Sequence, residues 1–219
     1  MGRILPSSFF NRPTVVVARD LLGKWLVSER AGADGKTVRR ALMITETEAY
    51  DGPRDRASHA SRGMTPRNRP MFGPPGAFYV YFVYGMHWMA NVVTGPAGYP
   101  AAVLLRAGLE EGAGDKKQGV KGPALLARCL GITGAMSGLA ASKKNGLWFE
   151  DRGPLPRGTK ITATKRIGVE YAGPVWSAKR YNFKVAIQER TGPRPLISNR
   201  SAASRVSDPR DMLRRDRSR

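Results

Sequence analysis

The apolar run AFYVYFVYGMHWMANVV, residues 77–93, constrains the fold of this chain more than any other segment. A membrane-spanning helix needs about 20 consecutive apolar residues, and Gly85, His87 and Asn91 interrupt the run before that length. Aromatic and β-branched residues are typical of strands, and Gly85 with Met86 marks a turn between them. The run therefore predicts two strands joined at a tight turn, and no transmembrane segment.

The first of these strands is apolar on both faces, which is typical of a central strand buried on both sides. One face carries Tyr79, Tyr81 and Val83, and the other carries Phe78, Val80 and Phe82. Tyr84 falls beside the turn, where small polar residues are expected. Tyr84 and Met86 at a hairpin tip indicate either tertiary packing or a wedge of the kind that unstacks a DNA duplex.

The charge of the chain limits its partners. Lys and Arg number 37 against 17 Asp and Glu, so the net charge is +20. Such a balance indicates a polyanionic partner, either nucleic acid or an acidic membrane surface. Residues 199–219 hold seven Arg and three Asp, and 7 − 3 gives +4 of that charge. We expect one compact domain over residues 1–198 and a basic, flexible tail over 199–219.

Other segments predict a mixture of helices and strands, and hence an α+β fold. Helices are predicted at 14–22, with Asn11 as a cap candidate and Gly23 as the stop, and at 123–130, with Gly131 as the stop. A hairpin is predicted over 24–50, with further strands near 101–108, 147–150, 159–166 and 181–187. Residues 51–75, 110–121 and 168–176 are rich in glycine, proline or charge and are predicted to be loops.

The second strand of the 24–50 hairpin brings two acids together. In ALMITETEAY, residues 41–50, a period of two sends Glu46, Glu48 and Tyr50 to one face. Paired carboxylates can hydrolyse glycosidic bonds from opposite sides of a sugar. Neighbouring positions on one strand point in parallel, however, so one working carboxylate is favoured over a pair. The alternative is a solvated or salt-bridged surface group.

Metal and cofactor chemistry find no support in the sequence. His59 and His87 are the two histidines, Cys129 is the single cysteine, and no cluster with ligand spacing surrounds them. We therefore expect no metal site and no cofactor. The first residues, MGRILPSSFFNRP, lack the apolar core of a signal peptide, which predicts a cytoplasmic location.

Several ordered strings resemble the alkyladenine (3-methyladenine, methylpurine) DNA glycosylase family. ETEAY is followed by His59, and TPRNRPMF, YVYFVYGM, Asn91, LLRAG and KRIGVEYAG come after it in that order. The resemblance is continuous from about Arg12 to Trp176. It implies a single mixed α/β domain around a curved antiparallel sheet, with a protruding β-hairpin that inserts into DNA.

The activity that the resemblance implies is hydrolysis of the N-glycosidic bond of damaged purines, alkylated or deaminated, in duplex DNA. The enzyme would be monofunctional, free of metal and cofactor, monomeric, unattached to membranes and, in a bacterium, associated with the nucleoid. A non-catalytic protein that binds damaged DNA, with Glu48 only structural, is the alternative. A lyase that forms a Schiff base through a lysine is a third option.

The family resemblance also implies residue roles. Glu48 would be the general base, and Arg106 and the backbone carbonyl of Ile167 would hold the attacking water. The base pocket would consist of Tyr50, His59, Tyr81 and Asn91, with the aromatic rings around the flipped base and Asn91 against the amino group of a normal guanine. Tyr84 would fill the gap in the duplex beside Met86, and Arg62 and Arg67 would contact phosphates.

Overall fold

The computed structural model describes residues 2–112 and 119–185 as a mixed α/β fold built on one antiparallel sheet. Its strands are β1 Arg3–Ile4, β2 Trp25–Ala31, β3 Thr37–Tyr50, β4 Phe78–Val83, β5 His87–Val93, β6 Ala102–Glu110, β7 Gly119–Lys121, β8 Leu147–Asp151, β9 Ile161–Thr164 and β10 Asn182–Val185. Its helices are α1 Ser7–Phe10, α2 Thr14–Asp20, α3 Pro123–Leu130 and α4 Gly173–Ser177, with short 3-10 turns between elements. The predicted mixture and the antiparallel sheet are confirmed.

Strand β3 is the central element of the sheet. The main path of strands runs β1-β8-β2-β3-β6-β5-β4, while β10 pairs with β3 and β9, and β7 pairs with β6. One edge of β3 pairs with β2 over its first half and with β10 at residues 46–48, and the other edge pairs with β6. The register against β6 shifts between Ile44 and Thr47, and such bulges bend a strand and increase its twist.

The main core lies between the sheet and the helices. Helix α2 contributes Val17 and Ala18, and α3 contributes Leu126 and Leu130, all buried with alternate residues of β3, β5 and β6. Helix α3 matches its prediction residue for residue. It starts with a proline in its first turn, where the missing N–H costs nothing, and it ends at Gly131 in the left-handed conformation.

The β4–β5 hairpin extends past its neighbouring strand. β4 and β5 pair from Phe78 opposite Val92 to Val83 opposite His87, whereas β6 pairs with β5 only at residues 91–93. Phe82, predicted to be buried, is 42% exposed and packs against Trp88 at 4.6 Å between ring centroids. The predictions of a buried Phe82 and of a central strand are wrong, because β4 is the last strand of the main path and its far half extends past β6.

Some local predictions need correction. Helix α2 begins at Thr14, as predicted, but ends at Asp20, two residues before the predicted end. Its N-cap is Pro13 rather than Asn11. Residues 168–176, predicted to be a loop, contain a 3-10 turn at Glu170–Ala172 and the start of α4. The end of the predicted loop 110–121 forms β7. The predicted domain end at residue 198 and the tail over 199–219 lie outside the described residues.

None of the helices in the described ranges is long and apolar enough to cross a membrane.

Candidate active site

A pocket of about 340 Å³ lies on the face of the sheet opposite α2 and α3, a size in the usual range of about 300–1,000 Å³ for ligand pockets. Alternation along the strands creates it: β4 places Phe78 and Val80 in the main core and Tyr79 and Tyr81 in the pocket wall. Seven of the predicted site residues line it, namely Tyr50, His59, Tyr81, Tyr84, Asn91, Arg106 and Ile167. We call it the aromatic pocket.

A single row of cross-strand partners connects the pocket to the predicted base. From β9 to β4 the row consists of Thr164, Asn182, Glu48, Leu104, Asn91 and Tyr79. Residues directly opposite each other on antiparallel strands have side chains on the same face about 4.5–5.5 Å apart. Glu48 therefore lies next to Leu104 of the pocket wall on one side and next to Asn182 on the other.

Glu48 is fully buried and both of its carboxylate oxygens have partners. Oε1 accepts hydrogen bonds from the amide N–H of Ile167 at 2.9 Å and from Nδ2 of Asn182 at 2.8 Å. Oε2 accepts one from the hydroxyl of Tyr50 at 2.9 Å and lies 3.3 Å from Nη1 of Arg106. Buried carboxylates need such partners, and all four partners of Glu48 approach it through N–H or O–H groups.

Glu46 shares two partners with Glu48, which confirms that β3 sends both acids to one face. Its Oε1 accepts from Nε of Arg106 at 2.9 Å and from Nδ2 of Asn182 at 2.8 Å, and lies 3.3 Å from Nζ of Lys184. Burial raises the pKa of Glu46, but hydrogen bonds from Asn182 and Arg106, together with the Arg106 and Lys184 charges, outweigh burial and lower it. We call Glu46, Glu48, Arg106 and Asn182 the carboxylate cluster.

Three rings in the pocket wall are held in their neutral forms. The rings of His59 and Tyr81 meet edge to face, with centroids 4.6 Å apart. Burial lowers the pKa of His59, and the charge of Arg67 lowers it further. Burial raises the pKa of Tyr81 to about 12, and burial together with the charge of Glu48 raises that of Tyr50 well above its usual value. These three rings are uncharged and rich in π electrons at neutral pH, which suits a planar cation.

Hydrogen bonds hold two residues of the pocket wall, His59 and Asn91, in fixed positions. Nδ1 of His59 and the hydroxyl of Tyr79 are hydrogen-bonded at 2.9 Å. Asn91 is only 3% exposed, and its Nδ2 donates to the carbonyl of Tyr79 at 2.9 Å. Nδ2 of Asn68 donates to the carbonyl of His59 at 2.9 Å. These bonds hold His59 and Asn91 in place before any ligand enters.

Sequence reasoning missed a buried ion pair behind Tyr50. The side chains of Asp55 and Arg166 are fully buried, and Nη2 of Arg166 lies 2.8 Å from Oδ1 of Asp55. The guanidinium also donates to the carbonyl of Ala49 and lies 4.8 Å from the centroid of the Tyr50 ring. The pair ties the 51–75 loop to Ile167. The sequence offered one signal for this ion pair, since Arg166 lies inside the string KRIGVEYAG. Nothing in the sequence indicated its partner Asp55, which is 111 residues away.

The hairpin tip, residues 84–86, has an uncommon backbone. Tyr84 has φ +53° and Gly85 φ +66°, and the amide of Met86 donates to the carbonyl of Val83 at 3.1 Å. Positive φ at both central residues matches the twist of a hairpin, but tyrosine adopts it at a cost. The side chains stand out into solvent, with Tyr84 85% and Met86 67% exposed.

The two predicted phosphate-binding arginines lie outside the pocket lining. Arg62 ends the 3-10 turn His59–Arg62 and is exposed. Arg67 is exposed as well, but its Nη2 donates to the carbonyl of Phe82 at 2.9 Å, and its guanidinium lies 5.3 Å from the Tyr81 ring centroid. Arg67 therefore contacts the far half of the hairpin, close to its tip, and the ring of Tyr81 in the pocket wall.

Comparisons with known proteins agree with one another. The family model for methylpurine-DNA glycosylase matches residues 8–189. A Methanocella arvoryzae protein is 47% identical over 181 residues, covering 78% of this chain and 86% of that protein. One from Anaeromyxobacter dehalogenans is 47% identical over 179 residues, 82% of each chain, and one from Myxococcus xanthus is 41% identical over 206 residues, 91% of this chain and 98% of its own. Each is named "Putative 3-methyladenine DNA glycosylase".

Proposed function

The chain belongs to the methylpurine-DNA glycosylase family, and from that membership we propose that it removes alkylated or deaminated purines from duplex DNA by hydrolysing the N-glycosidic bond. The observation that carries the proposal is the position of Glu48, an acid with four partners, three of which, Tyr50, Arg106 and Ile167, line the aromatic pocket. The net charge alone is equally consistent with a nucleic acid and with an acidic membrane surface as the partner. A carboxylate next to a pocket for a planar base favours DNA.

In the proposed reaction, Glu48 is the general base. The glycosidic bond breaks, its electron pair goes to the leaving purine, and positive charge develops on the sugar. A water molecule held by Glu48, Arg106 and the carbonyl of Ile167 attacks C1′ and gives its proton to Glu48. A cationic alkylated purine leaves as a neutral base, whereas a neutral lesion such as hypoxanthine leaves as an anion and takes a proton from solvent; the sugar becomes an abasic site. A fixed carboxylate both stabilises the sugar cation and deprotonates the water.

The damaged base is held by Tyr50, His59, Tyr81 and Asn91. A base inside a duplex is out of reach of the carboxylate, so it must be flipped out at a cost of a few kcal/mol. Alkylated purines carry positive charge, and aromatic faces attract cations by about 0.5–2 kcal/mol. The lowered pKa of His59 supports this role, because a protonated imidazole would repel such a base. Asn91 excludes a normal guanine by crowding its amino group.

Tyr84 fills the place that the flipped base leaves, and Met86 lies beside it. Two observations support this role: the hairpin extends beyond β6, and Tyr84 is 85% exposed at its tip. A large ring on a left-handed backbone is costly in the free protein. Insertion between base pairs offsets that cost and the cost of flipping.

The basic surface holds the duplex without reading its sequence. With the +4 of residues 199–219 subtracted from +20, +16 remains on residues 1–198. Arg62 and Arg67, which are both exposed, contact phosphates. Affinity for DNA then falls steeply as the salt concentration rises. The protein acts as a monomer on double-stranded DNA and, in a bacterium, works at the nucleoid.

The experiment that tests the proposal compares wild type, Glu48→Gln and, as a matched control, Glu29→Gln, which changes an exposed acid on β2. Duplexes carry one 3-methyladenine-type lesion, 7-methylguanine or hypoxanthine, and alkaline strand scission reports base release. We expect Glu48→Gln to lose about 10²–10⁴-fold in rate, the usual contribution of a general base, while binding DNA as before. Unchanged release by Glu48→Gln would refute the mechanism.

The two alternatives have distinct outcomes in the same assay. Tight binding to lesion duplexes without base release by the wild type would identify a non-catalytic binding protein. A covalent adduct trapped by borohydride would identify a lyase that uses a lysine Schiff base, and would overturn the monofunctional assignment.

A further inference from the structure

Asn182 is the cross-strand partner of Glu48 and bonds to both acids of the carboxylate cluster. Its Nδ2 lies 2.8 Å from Oε1 of Glu48 and 2.8 Å from Oε1 of Glu46. Its side-chain oxygen accepts from the hydroxyl of Thr164 at 3.3 Å, which fixes the orientation of the amide. The residue is fully buried. Because an amide nitrogen carries two hydrogens, each carboxylate receives one of them.

The two oxygens of Glu48 have different surroundings. Oε1 accepts from the backbone of Ile167 and from Asn182, which fills the two lone-pair sites of a carboxylate oxygen. Oε2 has the Tyr50 hydroxyl at 2.9 Å, and Nη1 of Arg106 lies farther away, at 3.3 Å. Both Tyr50 and Arg106 line the aromatic pocket. Ile167 lines it as well, so the difference between the two oxygens lies in their partners: Oε1 has two close donors, one of them Asn182 from outside the lining, and Oε2 keeps an acceptor site that is only partly used.

We propose that Asn182 is a positioning residue, which holds Oε1 of Glu48 so that Oε2 is the oxygen that takes the proton from the attacking water. The inference rests on the proposed function of Glu48 as the general base. Water binds between Oε2 and Arg106, where the acceptor site is only partly used. Without Asn182 the carboxylate can rotate, and its two oxygens no longer have separate tasks.

A neutral amide suits this place for an electrostatic reason. Glu46 and Glu48 lie on the same face and repel each other, and both need donors because Glu48 is buried and Glu46 is partly buried. Arg106 already supplies a charge that bridges them. A second cation in place of Asn182 would stabilise the Glu48 anion further and make it a weaker base. An amide satisfies both acids and adds no charge.

The test measures single-turnover base release by Asn182→Ala and Asn182→Asp on a lesion duplex between pH 5 and pH 9, with enzyme in excess. Both variants remove the donor, and Asp also adds a negative charge in the same shape. We expect the rate to fall about 10- to 100-fold, because a hydrogen bond to a charged group is lost. The acid side of the pH–rate profile moves to higher pH, more so for Asp, while the Kd for DNA stays within about twofold.

Thr162→Val is the matched control on the same pair of strands. Thr162 lies opposite Lys184 on β10, and its hydroxyl donates to the Lys184 carbonyl at 3.4 Å. It is exposed and its partner is not part of Glu48's surroundings. We expect its rate and its pH profile to match the wild type. Thermal unfolding of all variants shows whether each is folded at the assay temperature.

The outcomes separate this inference from the function on which it rests. If the wild type releases no base, the proposed function fails. If the wild type is active and folded Asn182 variants keep its rate and profile, only the positioning role is overturned. A slower Asn182→Ala with an unchanged pH profile would also overturn it, because a merely structural residue would lower the active fraction without changing the ionisation that the rate follows.

Discussion

The carboxylate cluster and the hairpin tip are organised in opposite ways. Glu48 is fully buried and has a partner for each oxygen, from β6, β10 and the Ile167 backbone as well as its own strand. Tyr84 is 85% exposed on a backbone with φ +53°. The first region is complete in the free protein. The second places a large apolar ring in water, in a conformation that costs free energy.

The difference indicates where each region contributes. Partners that hold the cluster also stabilise the fold, so a change there alters stability and chemistry together. The backbone of the tip costs free energy in the free protein, and under the proposed function its benefit comes from the complex with DNA. Substitutions at the tip should change activity and stability independently, whereas a substitution in the Asp55–Arg166 pair should lower both. Variants of each kind test this comparison.

The largest effect is expected from Arg166→Met, which leaves Asp55 buried without its cation. Breaking a buried ion pair from one side costs about 3–5 kcal/mol, so we expect the free energy of unfolding in urea to fall by that amount. Activity falls as well, because Arg166 contacts the ring of Tyr50. Lys36→Met is the control, since Lys36 and Asp34 are exposed and 3.8 Å apart. If Arg166→Met loses no more unfolding free energy than Lys36→Met does, the Asp55–Arg166 pair is not a main contributor to stability.

Tyr84→Ser tests the other side of the comparison. A ring that stacks in the duplex contributes about 1–3 kcal/mol, so release of a lesion base from duplex DNA slows about 5- to 150-fold at limiting enzyme. The same lesion in single-stranded DNA is released at the wild-type rate, and the free energy of unfolding does not fall. Val16→Ser, at an exposed apolar position on α2, serves as the control. Equal losses on duplex and single strand would refute the wedge.

Tyr84→Asn tests the cost of the left-handed backbone at the hairpin tip through protein stability alone. Asparagine tolerates the left-handed region better than tyrosine does, so the variant is expected to be more stable by up to about 1 kcal/mol in urea. Tyr84→Ala is the matched control, because it removes the ring and keeps the backbone cost. If both substitutions change stability equally, the backbone of Tyr84 is not strained.

The two regions also differ in how far the sequence predicted them. The period of two in residues 41–50 predicted that Glu46 and Glu48 share a face, and the apolar run 77–93 predicted the hairpin; both signals are local. Asn182 and Arg166 gave no such signal. Asn182 is 134 residues from Glu48, and pairing over that distance depends on the order of strands in the sheet. The resemblance pointed to Glu48 and to its partners Tyr50, Arg106 and Ile167, but not to Asn182.

Packing decided the remaining differences. Phe82 alternates as a buried residue would, yet it is exposed because β6 pairs with β5 only at residues 91–93. How far one strand extends past another is not encoded in either strand. Residues 168–176 have the glycines and proline of a loop, but a buried Ala172 and a hydrogen bond from Tyr171 to the Ala57 carbonyl hold them as helical turns.

The smallest effect is expected from Glu46→Gln, and it is a pH dependence of the difference in the free energy of unfolding between this variant and the wild type. The pKa of Glu46 is lowered in the folded protein because its donors outweigh burial, so its contribution to stability is present above its ordinary pKa and is lost as the pH falls through the lowered value. We expect the advantage of wild type over Glu46→Gln, measured in urea at pH 7, to shrink below about pH 4.5. The loss is limited because the glutamine oxygen still accepts from Arg106. Tyr84→Asn, which exchanges no carboxylate, keeps the same stability difference across that range. A Glu46→Gln difference independent of pH would mean that the acids of the carboxylate cluster do not stabilise the fold through their charge, and the contrast with the hairpin tip would then rest on Asp55 and Arg166 alone.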